Sequence, residues 1–207
     1  MKKILLLVGV TVFSVAVFAQ KNEPEEEPVK GFQKEKLFTG GDLTLAFSTG
    51  TFSGTTLGIS PYFGYSLTKW LDAALSMNVV YQGQKDYSGI KYRQTDFGPG
   101  AFIRVFPVNF LYLQAQYEHN FIKSKVIQPG IGTIATGKAD VNSLLLGVGY
   151  SSGRYEGNNS YFYMSLMFDV AQLPNSPYVD NYGRVRPIIK AGYNIGLFQG
   201  RQRRSRY

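Results

Sequence analysis

The chain has no cysteine, a single histidine and a single tryptophan in its 207 residues. The absence of cysteine excludes disulfides, thiolate metal sites and thiol nucleophiles. His119 has no second imidazole and no nearby acid cluster. It therefore anchors neither a metal site nor a Ser-His-Asp triad, and reads as an interfacial side chain near the end of a strand. Helical periodicity is also missing, and the one long apolar run lies at the N-terminus.

That run, Ile4 to Phe18 within "MKKILLLVGVTVFSVAVFAQ", follows two lysines and ends on small Ala19. It is too short for a comfortable transmembrane helix and reads as a secretory signal peptide, residues 1–19, cleaved before Gln20. Without cysteine there is no lipoprotein acceptor thiol behind it. Stability must then come from burial or from hydrogen-bonded sheet.

Basic charge is plentiful only at the ends. Of the formal +8, Lys2 and Lys3 leave with the signal and Arg201, Arg203, Arg204 and Arg206 crowd the last seven residues, so the body keeps +2. No spread basic face with interleaved aromatics remains, which excludes nucleic acid as a partner. Residues 20–36, Gln20 followed by "KNEPEEEPVKGFQKEK", offer only Val29 and Phe32 as substantial apolar groups and read as a flexible periplasmic leader.

From Leu37 onward, apolar residues recur at period two. "DLTLAFS", "TLGISPYFGYSL", "LDAALSMNVVY", "DFGPGAFIRVF", "YLQAQYEHNF", "NSLLLGVGYS", "YFYMSLMFDV" and "VRPIIKAGYNIGLF" are eight alternating segments. Each predicts a strand, and an even number of them predicts an all-β fold. A soluble barrel would show Lys, Glu and Arg on its second face. Here that face is Gly, Ser, Ala, Asn, Gln and Tyr with isolated charges, which suits a crowded interior. The expectation is a closed eight-stranded antiparallel up-and-down transmembrane β-barrel over residues 37–198, apolar side to lipid, its lumen filled by its own side chains.

The isolated charges are Asp42, Asp72, Asp96, Glu118 and Asp169 against Arg104, Arg186 and Lys190. Buried ions persist only when paired and hydrogen-bonded, so these predict a lumenal network. They lack the spacing of a catalytic carboxylate pair. Pro61 and Pro99 each remove a ladder donor. A bulge beside Gly98 and Gly100 is expected to accommodate Pro99, whereas Pro61 has no such device.

Short connections at 67–70, 106–109 and 152–159 fall on one side, and those near 49–54, 82–93, 122–140 and 171–184 on the other. With both termini periplasmic, the second set faces outside. The stretch "KSKVIQPGIGTIATGKAD" suggests a β-extension above the membrane or a contact surface. Asp180 and Asn181 give only a weak calcium signal.

The "FAQ" end of the signal, the stretch "FGPGAFIRVFPVNFLYLQAQYEHNF" and the closing strand resemble the small eight-stranded outer-membrane β-barrels of Gram-negative bacteria, the Bacteroidota branch in particular. That resemblance implies insertion by the barrel-assembly machinery through a final-strand signal, onto whose positions Lys190, Gly192, Ile195, Leu197 and the aromatic Phe198 fit. Such chains usually end at the aromatic, whereas this one continues for residues 199–207, a basic periplasmic tail. Four arginines beside an anionic inner leaflet contribute about 1 kcal/mol each.

The functional expectation is a non-enzymatic outer-membrane barrel without cofactor, a structural or interaction protein or an accessory subunit of a larger envelope complex. Its partners would be outer-membrane lipid and membrane or periplasmic proteins. The alternative is a small barrel enzyme or ligand-binding barrel acting on lipid or envelope substrates, which requires a Ser, a His and a carboxylate or amide converging at one rim.

Overall fold

Alternation at period two makes each segment a strand with one apolar and one polar face. The computed structural model, describing residues 31–48, 53–154, 159–179 and 185–199, closes eight of them into one ring. After a 3-10 turn at Lys34–Lys36 come β1 (Leu37–Ser48), β2 (Ser53–Ser66), β3 (Leu71–Lys85), β4 (Lys91–Val108), β5 (Leu111–Gln128), β6 (Gly132–Ser152), β7 (Tyr161–Asp169) and β8 (Ile188–Gly196). Every neighbour is antiparallel. β8 returns to β1 along a seam from Phe38↔Gly196 to Thr44↔Lys190, so the barrel leaves no edge at that level.

The faces fall as the alternation predicts. Leu75, on the outer face of β3, is 71 % exposed, while Ser76 and Asn78 beside it point into the lumen and are buried. On β5 the outward positions run from Leu111 through Tyr117 to Phe121, an apolar height close to the ~25 Å lipid-facing band of such barrels. His119 lies on this outer face, where Nδ1 sits 2.7 Å from Asn142 Oδ1 and the ring meets Phe121 edge-on.

The connection expected at 82–93 is not a loop, and the β-extension expected for residues 123–140 is present. The 82–93 and 122–140 regions are mostly strand: Asp86 to Ile90 and Pro129 to Ile131 are the only residues between the elements there. Asp86 closes the first turn by accepting the Ile90 amide on Oδ1 at 2.9 Å. Gly89 supplies the left-handed φ of 79° that the turn needs. The strands therefore continue past the apolar belt, and β6 runs well beyond its partner β7.

The bulge expected at Pro99 is absent. β4 and β5 pair at Phe97↔Phe121 and resume at Gly100↔Glu118 with the same offset, and their register shift falls instead between Val105 and Val108. Pro61 leaves the same kind of gap between Ile59↔Val79 and Tyr62↔Ser76. A proline deletes one donor toward one neighbour, and the opposite neighbour holds the register: Gly41 on β1 for Pro61, Met77 on β3 for Pro99. Gly98 and Gly100 matter by their size, since a Cβ on either would collide with the Asn120 side chain or the Tyr117 carbonyl.

Two packed layers fill the lumen. Toward the chain ends Phe38, Tyr62, Phe102, Phe106, Tyr112, Tyr161 and Tyr163 form an aromatic floor. The Tyr112 ring lies where a side chain on Gly149 would be. Toward the other rim Leu145, Met167, Tyr178 and Ile188 form a smaller cluster.

Candidate functional site

Inward positions on one strand are two residues apart, so polar residues at 114, 116, 118 and 120 of β5 stack along the barrel axis. As far as Glu118 they form a one-way chain. Arg104 Nε donates to Gln114 Oε1, Gln114 Nε2 to Gln116 Oε1 and Gln116 Nε2 to Glu118 Oε1, each at 2.7 Å. From the other side Asn120 donates back to Glu118 Oε2 at 3.5 Å and on to Ser143 Oγ at 3.2 Å, and Ser143 lies 3.2 Å from Ser176 Oγ.

Among the described residues, Arg104 begins this spine with no carboxylate partner. Its guanidinium carbon lies 4.3 Å from the Tyr163 ring centre, 4.5 Å from Phe102, 5.1 Å from Tyr62 and 5.2 Å from Tyr112. The ring faces supply the negative potential an acid would otherwise provide. At the next level Lys190 Nζ sits between Glu118 Oε1 at 3.7 Å and Asp42 Oδ1 at 3.9 Å, all three side chains buried. Tyr163 donates to the other Asp42 oxygen at 3.3 Å.

The remaining acids are placed separately. Asp96 accepts from Gln94 at 2.9 Å and Gln82 at 3.2 Å. Asp169 accepts from Ser176 at 2.5 Å and from the Leu144 and Ala171 amides. Asp72 pairs at 3.0 Å with Arg154, whose guanidinium lies 3.7 Å over the Phe106 ring. Arg154 lies in the connection after β6 and carries no periodic signal. It folds back under the floor of the barrel.

Arg186 does not join the network. It is exposed, precedes Pro187 and β8, and engages the chain through its backbone amide, which donates to the Tyr178 carbonyl at 2.9 Å. Proline there keeps the strand from starting early enough to turn Arg186 inward.

After β7, Ser176 to Tyr178 fold into the barrel mouth. Gln82 donates to the Pro177 carbonyl at 3.3 Å, and the buried Tyr178 hydroxyl donates to Glu118 Oε2 at 2.7 Å. Burial, reinforced by the Glu118 charge, pushes the Tyr178 phenol well above its ordinary range, so it stays a neutral donor.

On β8, Lys190 points inward, while Ile195 and Phe198 are exposed. The strand ends at Gly196, two residues before the aromatic assigned as its end. The Leu197 amide still donates to Leu37 O at 2.8 Å, and Phe198 then takes a left-handed φ of 55°. Gly192 lies where a Cβ would strike the Gly41 carbonyl and the Tyr163 ring. Residues 1–30, the Asp180 and Asn181 pair, and tail residues Arg201, Arg203, Arg204 and Arg206 lie outside the described residues.

This geometry is a linked set of buried ions and amides; Ser176 does donate to Asp169 at 2.5 Å, but both side chains are buried and the single histidine, His119, lies on the outer face. Among the described residues no group of three His, Asp or Glu side chains could hold a metal. The site's chemical capacity is to fix eight strands around a polar axis and to hold the β7–β8 connection in the mouth.

No family model matches the chain, and no curated protein matches its sequence. Its fold is similar to solved outer-membrane barrels. One is Ail, the attachment invasion locus protein of Yersinia pestis, crystallised with the heparin analogue sucrose octasulfate: 11 % identity, 77 % of this chain and 96 % of that one, TM-score 0.47. Neisserial surface protein A shares 16 % identity over 78 % and 97 % of the two chains, with a TM-score of 0.40. The N-terminal barrel of Pseudomonas aeruginosa OprF shares 18 % over 77 % and 95 %, with a TM-score of 0.41. The eight-stranded topology itself rests on the closed ring of ladders.

Proposed function

We propose that the chain is an outer-membrane β-barrel of the structural or interaction type, with both termini periplasmic, in a Gram-negative host of the Bacteroidota branch. An exposed apolar belt around a hydrogen-bonded polar lumen supports the membrane position. The unpaired upper part of β6 carries the interaction reading.

β6 pairs with β7 from Leu145↔Asp169 downward, and the last bonds across that seam involve Leu144 and the Asp169–Val170 pair. Among the described residues, β6 from Gly132 to Ser143 pairs with β5 on one side only, and residues 132–138 are all exposed. The Leu144 amide and carbonyl point to the β7 side, so Asn142, Asp140, Lys138 and Thr136 present theirs to the open side. A long edge with few charges and no proline is a template for strand addition. The barrel thus acts as a membrane-anchored dock for an extended segment of another envelope protein, as an accessory subunit of a larger complex. The basic tail and leader serve partners on the periplasmic side.

Thr136→Pro removes an open-side donor while sparing the ladder to β5. Wild-type full chain, purified from membranes in mild detergent, should carry a stoichiometric partner that crosslinks to a photoreactive residue at Ala135. The proline variant, equally heat-modifiable on gels, should lose it. Recovery of the wild type strictly alone would overturn the reading.

A further inference from the structure

The outer face of the same projecting sheet is basic. Side chains continuing the parity of lipid-facing Val79, Phe97, Phe121 and Leu144 are Lys85 on β3, Lys91 and Arg93 on β4, Lys123 and Lys125 on β5, and Lys138 on β6, all exposed. The register sets Lys85 directly across from Lys91, Arg93 across from Lys125 and Lys123 across from Lys138.

Like charges opposite one another in a sheet are destabilising, and three such pairs on one face are costly without a counter-charge. Asp140 is the only acid among them, and none of the six cations forms an ion pair among the described residues. A face built only for solubility would intersperse both signs.

Position decides the occupant. On β5 Lys123 comes two residues after Phe121, so the array begins where the apolar belt ends and stays on the wall that faces lipid rather than the lumen. It spans four strands, about 15 Å at 4.8 Å spacing. We propose that this array is a binding site for lipid headgroups bearing more than one phosphate, seated in the leaflet around this rim. The inference rests on the membrane reading above. Continuity with the lipid-facing belt favours a lipid over a soluble polyanion, which has no reason to prefer the wall beside the acyl chains. Clustered Lys and Arg next to a membrane surface recognise anionic headgroups by this means.

The test uses the full chain folded in nonionic detergent, with heat-modifiability first confirming a closed barrel. A gel without that shift would sink the membrane reading itself and is separate from the outcomes below. Binding of diphosphoryl lipid A in mixed micelles is then compared with phosphatidylcholine and with soluble heparin. The wild type should prefer the bisphosphorylated lipid in a salt-sensitive manner. The combined variant Lys91→Gln, Arg93→Gln, Lys123→Gln and Lys125→Gln should bind it on the order of 100-fold more weakly. Lys34→Gln with Lys36→Gln, at the opposite rim, should leave binding unchanged. Equal binding by the fourfold variant overturns the proposal, as does heparin binding that the lipid fails to displace.

Discussion

The Tyr178 hydroxyl donates to Glu118 Oε2 at 2.7 Å, joining the β7–β8 connection to the midpoint of the polar spine on β5. These residues are separated by 60 positions in sequence, and this bond makes the connection part of the barrel interior.

Tyr178→Phe keeps the ring in its cluster with Leu145, Met167 and Ile188 but leaves Glu118 short of a donor. A bond to a buried charge contributes about 2 kcal/mol. The variant's urea unfolding in lipid vesicles should fall by that amount, and protease should cut faster within residues 171–179. An unchanged cleavage rate would mean the connection is held by packing alone.

The raised phenol also gives a pH signature. A group whose folded pKa is raised contributes fully below its unfolded value, about 10 for tyrosine, and that contribution is lost as pH climbs through the folded value. Docking of the connection should therefore persist through pH 10 and weaken only in stronger alkali. The phenolate absorbance of wild type minus Tyr178→Phe should show one tyrosine missing from the ordinary titration range. A difference spectrum that titrates normally near pH 10 contradicts the burial argument.

Among the described residues, Lys190 is the only ammonium within 4 Å of two buried carboxylates, at 3.7 Å from Glu118 and 3.9 Å from Asp42. Lys190→Met strands both, and breaking a buried ion group of this kind costs about 3–5 kcal/mol. Adding Glu118→Gln to Lys190→Met should restore part of the loss, because the amide needs no counter-charge. If the double variant is as unstable as the sum of the singles, measured by the same vesicle unfolding, the two groups do not act together.

Much of this was readable in the sequence, for a physical reason. Period-two alternation located all eight strands and their faces, because lipid outside and a packed lumen inside impose opposite chemistry on neighbouring residues. Above the membrane that contrast vanishes, since the alternation no longer separates lipid from lumen, so the extension through Tyr92 carries no strand signal, while that through Lys125 and Thr136 is legible only from its Gly, Thr and Ile content. Arg154, Ser176 and Tyr178 were invisible for a related reason: they enter the lumen from connections, where no period constrains them. Arg186 fitted the strand parity, yet Pro187 sets the start of β8 after it.

Gly192 separates packing from recognition in the closing strand. The family resemblance implies a role for it in insertion, while the structure gives it a task at the seam: a methyl group there would press on the Gly41 carbonyl and the Tyr163 ring, next to Asp42. Backbone cannot yield as a side-chain tip can, so Gly192→Ala should cost about 1–3 kcal/mol by overpacking. That loss should be visible when purified protein folds into vesicles with no insertion machinery present. Stability equal to wild type in that assay, combined with failed insertion in cells, would assign the glycine to recognition instead of to the seam.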